Sequence, residues 1–249
     1  MSPLPSPLLA HPAFAPYAAA LATYQAISAG HAAPPTDVPV FVPPPARSIS
    51  AIDYERRVVE QNELIVRAEN LHDVMNALVW LTFPKAKRAI SAAHVALGVT
   101  ADGKTRPRRR DVLTLFDEAG IIILCPRDDL KKLHEGHQWR ALFVAHRQTF
   151  IDDARVILFG HGALEQLGCR PHRALTVKAL WLPLAPASSS AEVDHWMATR
   201  VASGELLGAR EHRLPLPILG VPGWFAENEH AECYEHTDIF RPLRGRVNP

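Results

Sequence analysis

The segment from Leu71 to Leu81 constrains the fold of this chain more than any other, because it has the spacing of a helix with two distinct faces. At 100° per residue, one broad apolar face collects Leu71, Val74, Met75, Leu78, Val79 and Leu81. Asn70 precedes the segment as a helix cap, with Asp73 three residues later as its partner in a capping box. The pattern predicts a helix that ends before Pro84 and a second helix that runs from there through Leu97.

The opposite side of this helix carries a polar stripe at i, i+4 and i+8, formed by His72, Asn76 and Trp80, with Asp73 beside it. Tryptophan is mostly buried in folded proteins, so its position on a polar stripe needs an explanation. One interpretation is a pocket in which His72 and Asn76 form hydrogen bonds above an aromatic floor. The other is a helix buried on both sides, in which Asp73 only caps the helix and His72 bonds to a backbone carbonyl.

A second candidate lies where a short buried strand, Val156 to Phe159, runs into Gly160-His161-Gly162 and a helix. This order presents His161 at the carboxyl end of a strand, where ligands bind in open α/β sheets. Glu165 follows one helical turn later, so the two side chains suit a pair of metal ligands or a base and the group that orients it. The alternative is an ordinary strand–helix turn with a local contact between the two residues.

Two adjacent carboxylates, Asp117 and Glu118, precede Gly120. We interpret Val112 to Phe116 and Ile121 to Cys125 as strands joined by a type I turn, since Asp at the first position and Gly at the last favour that turn. The turn accounts for Asp117 but not for Glu118. Glu118 is therefore kept as a candidate substrate-binding residue.

Basic residues crowd the segment from Lys104 to Arg110, which Asp111 follows. Guanidinium groups match phosphate oxygens, so the candidates for contact with nucleic acid are Arg106, Arg108, Arg109 and Arg110. A solvated loop, or an ion pair between an arginine and Asp111, explains the same residues. The net charge of +1 provides no global field for an anionic partner, so such a role would depend on this local patch. Arg110 and Asp111 are also candidate substrate-binding residues.

The C-terminal part, which we predict to be mostly loop from Pro215 onward, contains a tryptophan after a Pro-Gly pair. Pro-Gly favours a type II turn, which would hold Trp224 either against a pocket or in the core. Asn228 lies four residues later and is placed to fix the loop. Both residues are candidates for substrate binding.

The composition favours a cytoplasmic protein with a sizeable core. Hydrophobic residues make up 47% of the 249 residues and charged residues 21%, as in ordinary globular proteins. The three cysteines form no CxxC pair and do not suggest a disulfide framework. The N-terminus lacks the features of a signal peptide, and no apolar run approaches the ~20 residues that span a bilayer. We expect no contact with a membrane.

We expect an α+β or mixed α/β fold in which helices pack on a small mixed sheet, within a single main domain. Residues 1–46 would form an N-terminal helix and a proline-rich strap, because six prolines between Ala32 and Ala46 break the helical spacing that precedes them. Residues 47–249 would form the main domain.

An ordered set of segments along the chain has a recognisable combination of residues: Arg67, Asn70-Leu71-His72-Asp73, Asn76-Ala77-Leu78-Val79-Trp80-Leu81-Thr82-Phe83-Pro84, Lys87, Arg110-Asp111, Leu113-Thr114, Asp117-Glu118, Gly120, Phe159-Gly160-His161, Glu165, Pro215-Leu216-Pro217, Gly220, Pro222-Gly223-Trp224, Asn228 and Phe240-Arg241-Pro242. This set resembles the bacterial domain-of-unknown-function family DUF3025, over about Tyr54 to Pro242. The family name implies no activity. The N-terminal helix and the proline-rich strap belong to the resemblance less clearly.

Three functions are compatible with these candidates. The first is an enzyme that works by metal-assisted or acid–base hydrolysis, with catalytic residues His72, Asp73, Asn76, His161 and Glu165. In this hypothesis a divalent metal would be bound by His72, His161 and Glu165, Arg110 would neutralise an anionic substrate, and Trp80 or Trp224 would exclude water. The second is a protein that binds nucleic acid or a ribonucleoprotein through the basic segment. The third is a module that binds a small molecule or another protein.

Overall fold

Four strands form the central sheet of the computed structural model, which describes residues 10–67, 69–98, 108–169, 174–207 and 214–243. The order of strands is β4-β3-β5-β6. β3 (Gly120–Leu124) pairs in parallel with β5 (Thr176–Leu182) and antiparallel with β4 (Arg155–Leu158), and β6 (Leu214–Pro217) pairs antiparallel with β5. A separate pair of parallel strands consists of β1 (Val40–Val42) and β2 (Glu63–Ile65).

Nine α-helices of the described residues surround these strands: α1 (Ala18–Ser28), α2 (Ala51–Gln61), α3 (Leu71–Thr82), α4 (Pro84–Leu97), α5 (Arg108–Ala119), α6 (Asp128–Glu135), α7 (Arg147–Asp153), α8 (His161–Cys169) and α9 (Ser190–Ala202). All five residues of β3 are buried, so the core lies between this sheet and the helices that cover it. The predicted fold class, helices on a small mixed sheet in one domain, is confirmed. None of the described helices has the length and apolar character needed to cross a bilayer.

The helix α3 and its successor α4 begin and end as the sequence predicts. The side chain of Asn70 accepts a hydrogen bond from the backbone N–H of Asp73 at 3.0 Å, and Pro84 opens α4. The capping box is wrong in one respect, because the carboxylate of Asp73 accepts from the backbone N–H of Arg67 rather than from that of Asn70. Every residue from Asp73 to Trp80 is buried, so α3 is packed on both sides.

The predicted strand from Val112 to Phe116 is wrong, since these residues lie inside the continuous helix α5. Val112, Leu113 and Phe116 are buried, and their spacing places them on one helical face. The predicted turn at Asp117 is wrong for the same reason: Asp117 and Glu118 lie in the last turn of α5, and β3 begins directly afterwards at Gly120.

Two strands lie in proline-rich segments, and for this reason the sequence pattern does not predict them. β1 lies within the proline-rich strap and pairs with β2. β6 contains two prolines and lies at an edge of the sheet, where a residue without a backbone N–H is tolerated. The prediction that the chain from Pro215 onward is mostly loop is therefore wrong at its start. The N-terminal segment also contacts the sheet, because the hydroxyl of Tyr17 donates a hydrogen bond to the carbonyl of Leu158 at 2.7 Å.

Candidate metal centre

At the carboxyl end of β4, the chain approaches the end of α5 closely, and α8 begins there. The backbone N–H of Gly160 donates to the carbonyl of Gly120 at 2.8 Å, and a Cβ at Gly160 would lie 2.5 Å from backbone nitrogen atoms at the junction of α5 and β3. Only glycine fits at this close approach. As a result His161, the first residue of α8, lies beside Asp117 and Glu118.

The helix α3 supplies a second histidine to the same place. His72 lies in the first turn of α3, with its ring centroid 4.5 Å from that of His161 in an edge-to-face arrangement. The two Nε2 atoms are 3.1 Å apart. The Nδ1 atom of His72 is 2.8 Å from Oε2 of Glu165, which lies one turn into α8. The structure thus brings together His72, His161 and Glu165, three of the five residues considered as catalytic.

Glu118 adds a third ligand atom to the two Nε2 atoms. Its Oε1 atom is 3.5 Å from Nε2 of His161 and 4.0 Å from Nε2 of His72. A triangle with sides of 3.1, 3.5 and 4.0 Å has its circumcentre about 2.1 Å from each corner, which is the length of zinc–nitrogen and zinc–oxygen bonds. Within the described ranges, these three residues form a group that could hold a metal ion.

The groups around the two rings determine which nitrogen of each ring carries a proton. Glu165 accepts a hydrogen bond from Nδ1 of His72, which leaves a lone pair on Nε2 of that ring. Nδ1 of His161 is buried without a hydrogen-bond partner among the described residues, and the nearest carboxylate oxygen is Oδ2 of Asp117 at 3.7 Å. Nε2 of His161 faces Nε2 of His72 at 3.1 Å and Oε1 of Glu118 at 3.5 Å, so in the absence of a cation the proton of His161 lies on Nε2. A cation at this place would take the lone pairs of both Nε2 atoms and leave the proton of His161 on Nδ1, on the side of Asp117.

A buried lysine holds Asp117 in place. Lys87 on α4 is 3% exposed, and its Nζ atom lies 2.5 Å from Oδ1 of Asp117. Burial acts to raise the pKa of Asp117, but the charges of Lys87 and His161 and the hydrogen bond from Lys87 outweigh it and hold the pKa below its ordinary value. Asp117 is therefore ionised at neutral pH.

The position and charge of Glu118 follow from its contacts with the start of α8. A hydrogen bond with His161 is the main cause that holds the pKa of Glu118 below its ordinary value, against the opposing effect of partial burial. The carboxylate also occupies the space that a Cβ at Gly162 would need. The two glycines around His161 are thus explained by close approach of α5, and not by an unusual backbone conformation.

The other members of the polar stripe on α3 face different neighbours. Both carboxylate oxygens of Asp73 accept hydrogen bonds from Arg67, at 2.7 to 2.9 Å. The side-chain amide of Asn76 donates to the hydroxyl of Tyr54 at 3.1 Å. Trp80 is 1% exposed and is a core residue rather than the floor of a pocket, in a hydrophobic cluster with Val38, Val58 and Leu64.

Arg110, which the sequence suggested as a contact for an anionic substrate or a phosphate, has a buried guanidinium group. Arg110 is 4% exposed and donates to the carbonyl of Gly98 at 2.9 Å. Asp111 is exposed in the same first turn of α5, about two turns from Glu118. Arg106 and the side chains of Arg108 and Arg109 lie outside the described part of the chain.

Trp224 and Asn228 contact the N-terminal segment and the loop between them and β6, respectively. Trp224 is 9% exposed and packs edge-to-face against the ring of His11, with centroids 5.6 Å apart. The side-chain amide of Asn228 donates to the carbonyls of Leu219 and Val221, at 2.7 and 2.6 Å. Neither contact involves the two histidines, and Asn228 fixes the loop that precedes it.

Sequence reasoning missed Lys87 and treated Asp117 as a turn residue. A signal for Lys87 was present in α4, where the polar residues Lys87, Ser91 and His94 recur at helical spacing and are all buried. Polar side chains at such spacing indicate a second polar face directed into the protein, since buried polar groups need partners.

Comparison with known proteins gives a family and no function. A family model described as "Protein of unknown function (DUF3025)" matches residues 40–244. Neither the curated proteins nor the solved structures provide a match to the chain.

Proposed function

This chain belongs to the DUF3025 family, whose description states no activity, and we propose from its site that it is a hydrolytic enzyme that uses one divalent metal ion. The ion would be bound by Nε2 of His72, Nε2 of His161 and the carboxylate of Glu118. Glu165, which the sequence pattern suggested as a ligand, would instead orient His72. Two histidines and one carboxylate are a ligand set of catalytic zinc sites, in which a further position stays open for water.

The single observation that carries this proposal is the distance of 3.1 Å between the two Nε2 atoms. The other nitrogen of His72 is hydrogen-bonded to Glu165 at 2.8 Å, and Asp117 lies 3.7 Å from the other nitrogen of His161, beyond hydrogen-bond distance. Histidines that bind metal usually donate their remaining N–H to a carboxylate, as His72 does, which fixes the tautomer and the orientation of the ring.

The charge of the centre also favours a divalent cation. Three carboxylates surround the rings, from Asp117, Glu118 and Glu165, and Lys87 is the cation paired with one of them. An excess of negative charge attracts a metal ion and repels an anionic substrate in the absence of metal. Borderline N and O donors suit zinc and similar transition metals better than calcium or magnesium.

Solvent can reach the centre from one side. The side chains of His72 and Glu165 are 34% exposed and that of Glu118 is 43% exposed, whereas His161 is 6% exposed. A bound ion would lower the pKa of a coordinated water to about 7 and polarise the bond to be hydrolysed. The chain itself would hold the ion through one buried and one accessible histidine, and it leaves the accessible side to the substrate.

Metal titration tests the proposal. Protein stripped of metal with a chelator is titrated with Zn²⁺ and Co²⁺ by calorimetry, and the visible spectrum of bound Co²⁺ reports the coordination number. We expect one ion per chain, and we expect His161→Ala and Glu118→Gln to weaken binding by more than about 100-fold, since loss of a ligand costs more than loss of an outer partner. His195→Ala, on the exposed side of α9, is the matched control.

Hydrolysis is measured on the same samples with p-nitrophenyl acetate and bis(p-nitrophenyl) phosphate. Zinc-loaded protein should release p-nitrophenol from at least one of these esters, and stripped protein should not. Ferrous iron uses the same donor set in oxygenases. Stoichiometric zinc binding without any ester hydrolysis would therefore contradict the hydrolase proposal while it leaves the metal centre in place.

The same distance between the rings supports a second candidate, acid–base hydrolysis without metal. A separation of 3.1 Å also fits a hydrogen bond, so one proton shared between the Nε2 atoms would give a base and an acid in contact. A shared proton and a bound metal exclude each other, because both need the same lone pairs. Ester hydrolysis that persists in the stripped protein would favour this candidate.

A further inference from the structure

A cavity separate from the candidate metal centre lies between the segment that follows α6 and the C-terminal segment. It has a volume of about 630 Å³ and is partly open to solvent. Sites for small molecules typically have volumes of roughly 300–1,000 Å³, so the cavity has the size of a binding site. One wall is the run 136–141, and the other is formed by Tyr234, Thr237, Phe240, Pro242 and Leu243.

The floor of the cavity consists of aromatic rings that are held by their neighbours. Trp139, Tyr234 and Phe240 are each at most 5% exposed. The ring of Phe240 packs against those of Tyr234 and Trp139, with centroids 4.9 and 6.3 Å apart. The indole N–H of Trp139 donates to the carbonyl of Arg241 at 2.9 Å, and the hydroxyl of Tyr234 donates to that of Asn228 at 3.2 Å. Because these polar atoms are already bonded, the rings offer a carbon surface that suits a planar aromatic ligand.

Arg140 lines the cavity with one edge of its guanidinium group unused. Its side chain is 55% exposed, and Nη1 donates to Oε1 of Glu235 at 2.9 Å and to the carbonyl of Ala231 at 3.4 Å. Nε and Nη2 have no hydrogen-bond partner in the part of the chain that the structure describes. Two such N–H groups form a fork that matches the two oxygens of a carboxylate. Glu235 thus holds the guanidinium group while the free edge remains for an anionic group of a ligand.

His137 extends the aromatic wall and has an unusual backbone. Its ring centroid lies 5.0 Å from that of Trp139, and its Nδ1 atom donates to the carbonyl of Arg241 at 3.0 Å. The φ angle of His137 is 51°, in the left-handed region that residues other than glycine rarely adopt. Backbone strain of this kind clusters at sites that hold ligands.

We propose that this cavity binds a small aromatic carboxylate, with its ring against Trp139 and Phe240 and its carboxylate on the free edge of Arg140. The aromatic floor provides apolar contact, and the fork provides charge-assisted hydrogen bonds that orient the ligand. The site is independent of the proposed metal centre, whose ligands come from α3, α5 and α8. It gives the chain a second place for a ligand.

Calorimetric titration of metal-stripped protein with 2-naphthoate tests the site. Removal of metal prevents the carboxylate from binding to an ion at the metal centre. We expect one molecule per chain. 2-Naphthamide lacks the charge and should bind at least about 10-fold more weakly. Decahydro-2-naphthoate keeps the charge and the size but lacks the aromatic ring, and it should bind about 3- to 10-fold more weakly.

Two variants connect the binding to this cavity. Arg140→Met should weaken the binding of 2-naphthoate by at least about 10-fold and that of 2-naphthamide by less than about 3-fold, because it removes the fork. Thr237→Trp places a large side chain in the cavity from an exposed position and should weaken the binding of both compounds. Arg200→Met is the matched control, since Arg200 also donates through Nη1 to a glutamate, Glu205, and does not line the cavity.

The outcomes distinguish this site from the metal centre. Failure of folded wild-type protein to bind 2-naphthoate at up to about 5 mM would overturn the inference. Undiminished binding by Arg140→Met or Thr237→Trp would overturn it as well, because the compound would then bind elsewhere. Glu118→Gln should bind 2-naphthoate as tightly as the wild type, and a loss of binding there would assign the compound to the metal centre. The expected pattern in a protein that binds no zinc would uphold the cavity site and refute only the metal centre.

Discussion

Acidification should destabilise the protein through His134, a histidine far from the metal centre in sequence and fully buried. His134 is 0% exposed, its Nε2 atom donates to the carbonyl of Pro215 at 3.0 Å, and its Nδ1 atom accepts from the indole N–H of Trp181 at 2.8 Å. A second proton on Nδ1 would face the N–H donor of Trp181 in a fully buried site. Burial accordingly lowers the pKa of His134 from 6.5 to about 4.

The sign and size of the effect follow from the two pKa values of His134. Because the pKa is lower in the folded state, the unfolded chain takes up a proton between pH 6.5 and about 4 while the folded protein does not. The contribution of neutral His134 to the free energy of unfolding is complete above pH 6.5 and is lost as the pH falls toward 4. The free energy of unfolding should decrease by about 2 kcal/mol between pH 7 and pH 5, and by about 3 kcal/mol in total.

Urea unfolding at pH 7 and at pH 5 measures this loss, with His134→Gln as the comparison. Glutamine can keep one donor and one acceptor in the same place but does not titrate. The difference in the free energy of unfolding between wild type and variant should shrink by about 2 kcal/mol on acidification. An equal loss in both proteins would refute the reasoning, because the other histidines are present in both and cancel in the comparison.

Three further predictions concern single residues. Gly162→Ala should displace the Glu118 carboxylate and weaken zinc binding, measured by calorimetry, by more than about 10-fold with little loss of stability. The distant Gly136→Ala should leave zinc binding unchanged in the same assay. Asn228→Ala should lower the free energy of unfolding by about 2–4 kcal/mol in urea titrations without an effect on zinc affinity, since it removes two buried hydrogen bonds to backbone carbonyls. Arg110→Gln should leave RNA retention at low salt unchanged in a filter-binding assay, because Arg110 is buried; a loss of retention would favour the nucleic-acid hypothesis.

The parts of the fold that the sequence predicts best are those set by local interactions. The boundaries of α3 and α4 depend on a side-chain cap at Asn70 and on Pro84, both of which act within four residues. The strand before His161 is likewise visible as an apolar run between polar segments. These features need no knowledge of what packs against them.

The errors arise where distant segments decide the outcome. Val112 and Thr114 have the branched side chains of a strand, but burial of Val112, Leu113 and Phe116 against the core selects a helix. Trp80 lies on a polar stripe of α3 because a second hydrophobic cluster covers that side of the helix. Neither partner surface is visible in the local pattern.

In the candidate site, too, the features set by local sequence are predicted and those set by distant segments are not. The sequence places His72 at the start of a helix and His161 at the end of a strand, and both positions are as expected. Which carboxylates lie near the two histidines depends on where α5 ends. The predicted turn at Asp117 gave the wrong end for this element. Glu118 therefore emerges as the candidate ligand, and Asp117 as a neighbour of His161 at 3.7 Å, only when the close approach at Gly160 is known.

Anomalous diffraction from crystals grown with zinc, recorded above and below the zinc absorption edge, tests the central claim most directly. We predict one anomalous peak within about 2.0–2.3 Å of Nε2 of His72, Nε2 of His161 and a carboxylate oxygen of Glu118. Density that shows the two rings in direct contact, with no anomalous peak between them and Glu118 in zinc-saturated crystals, would contradict it.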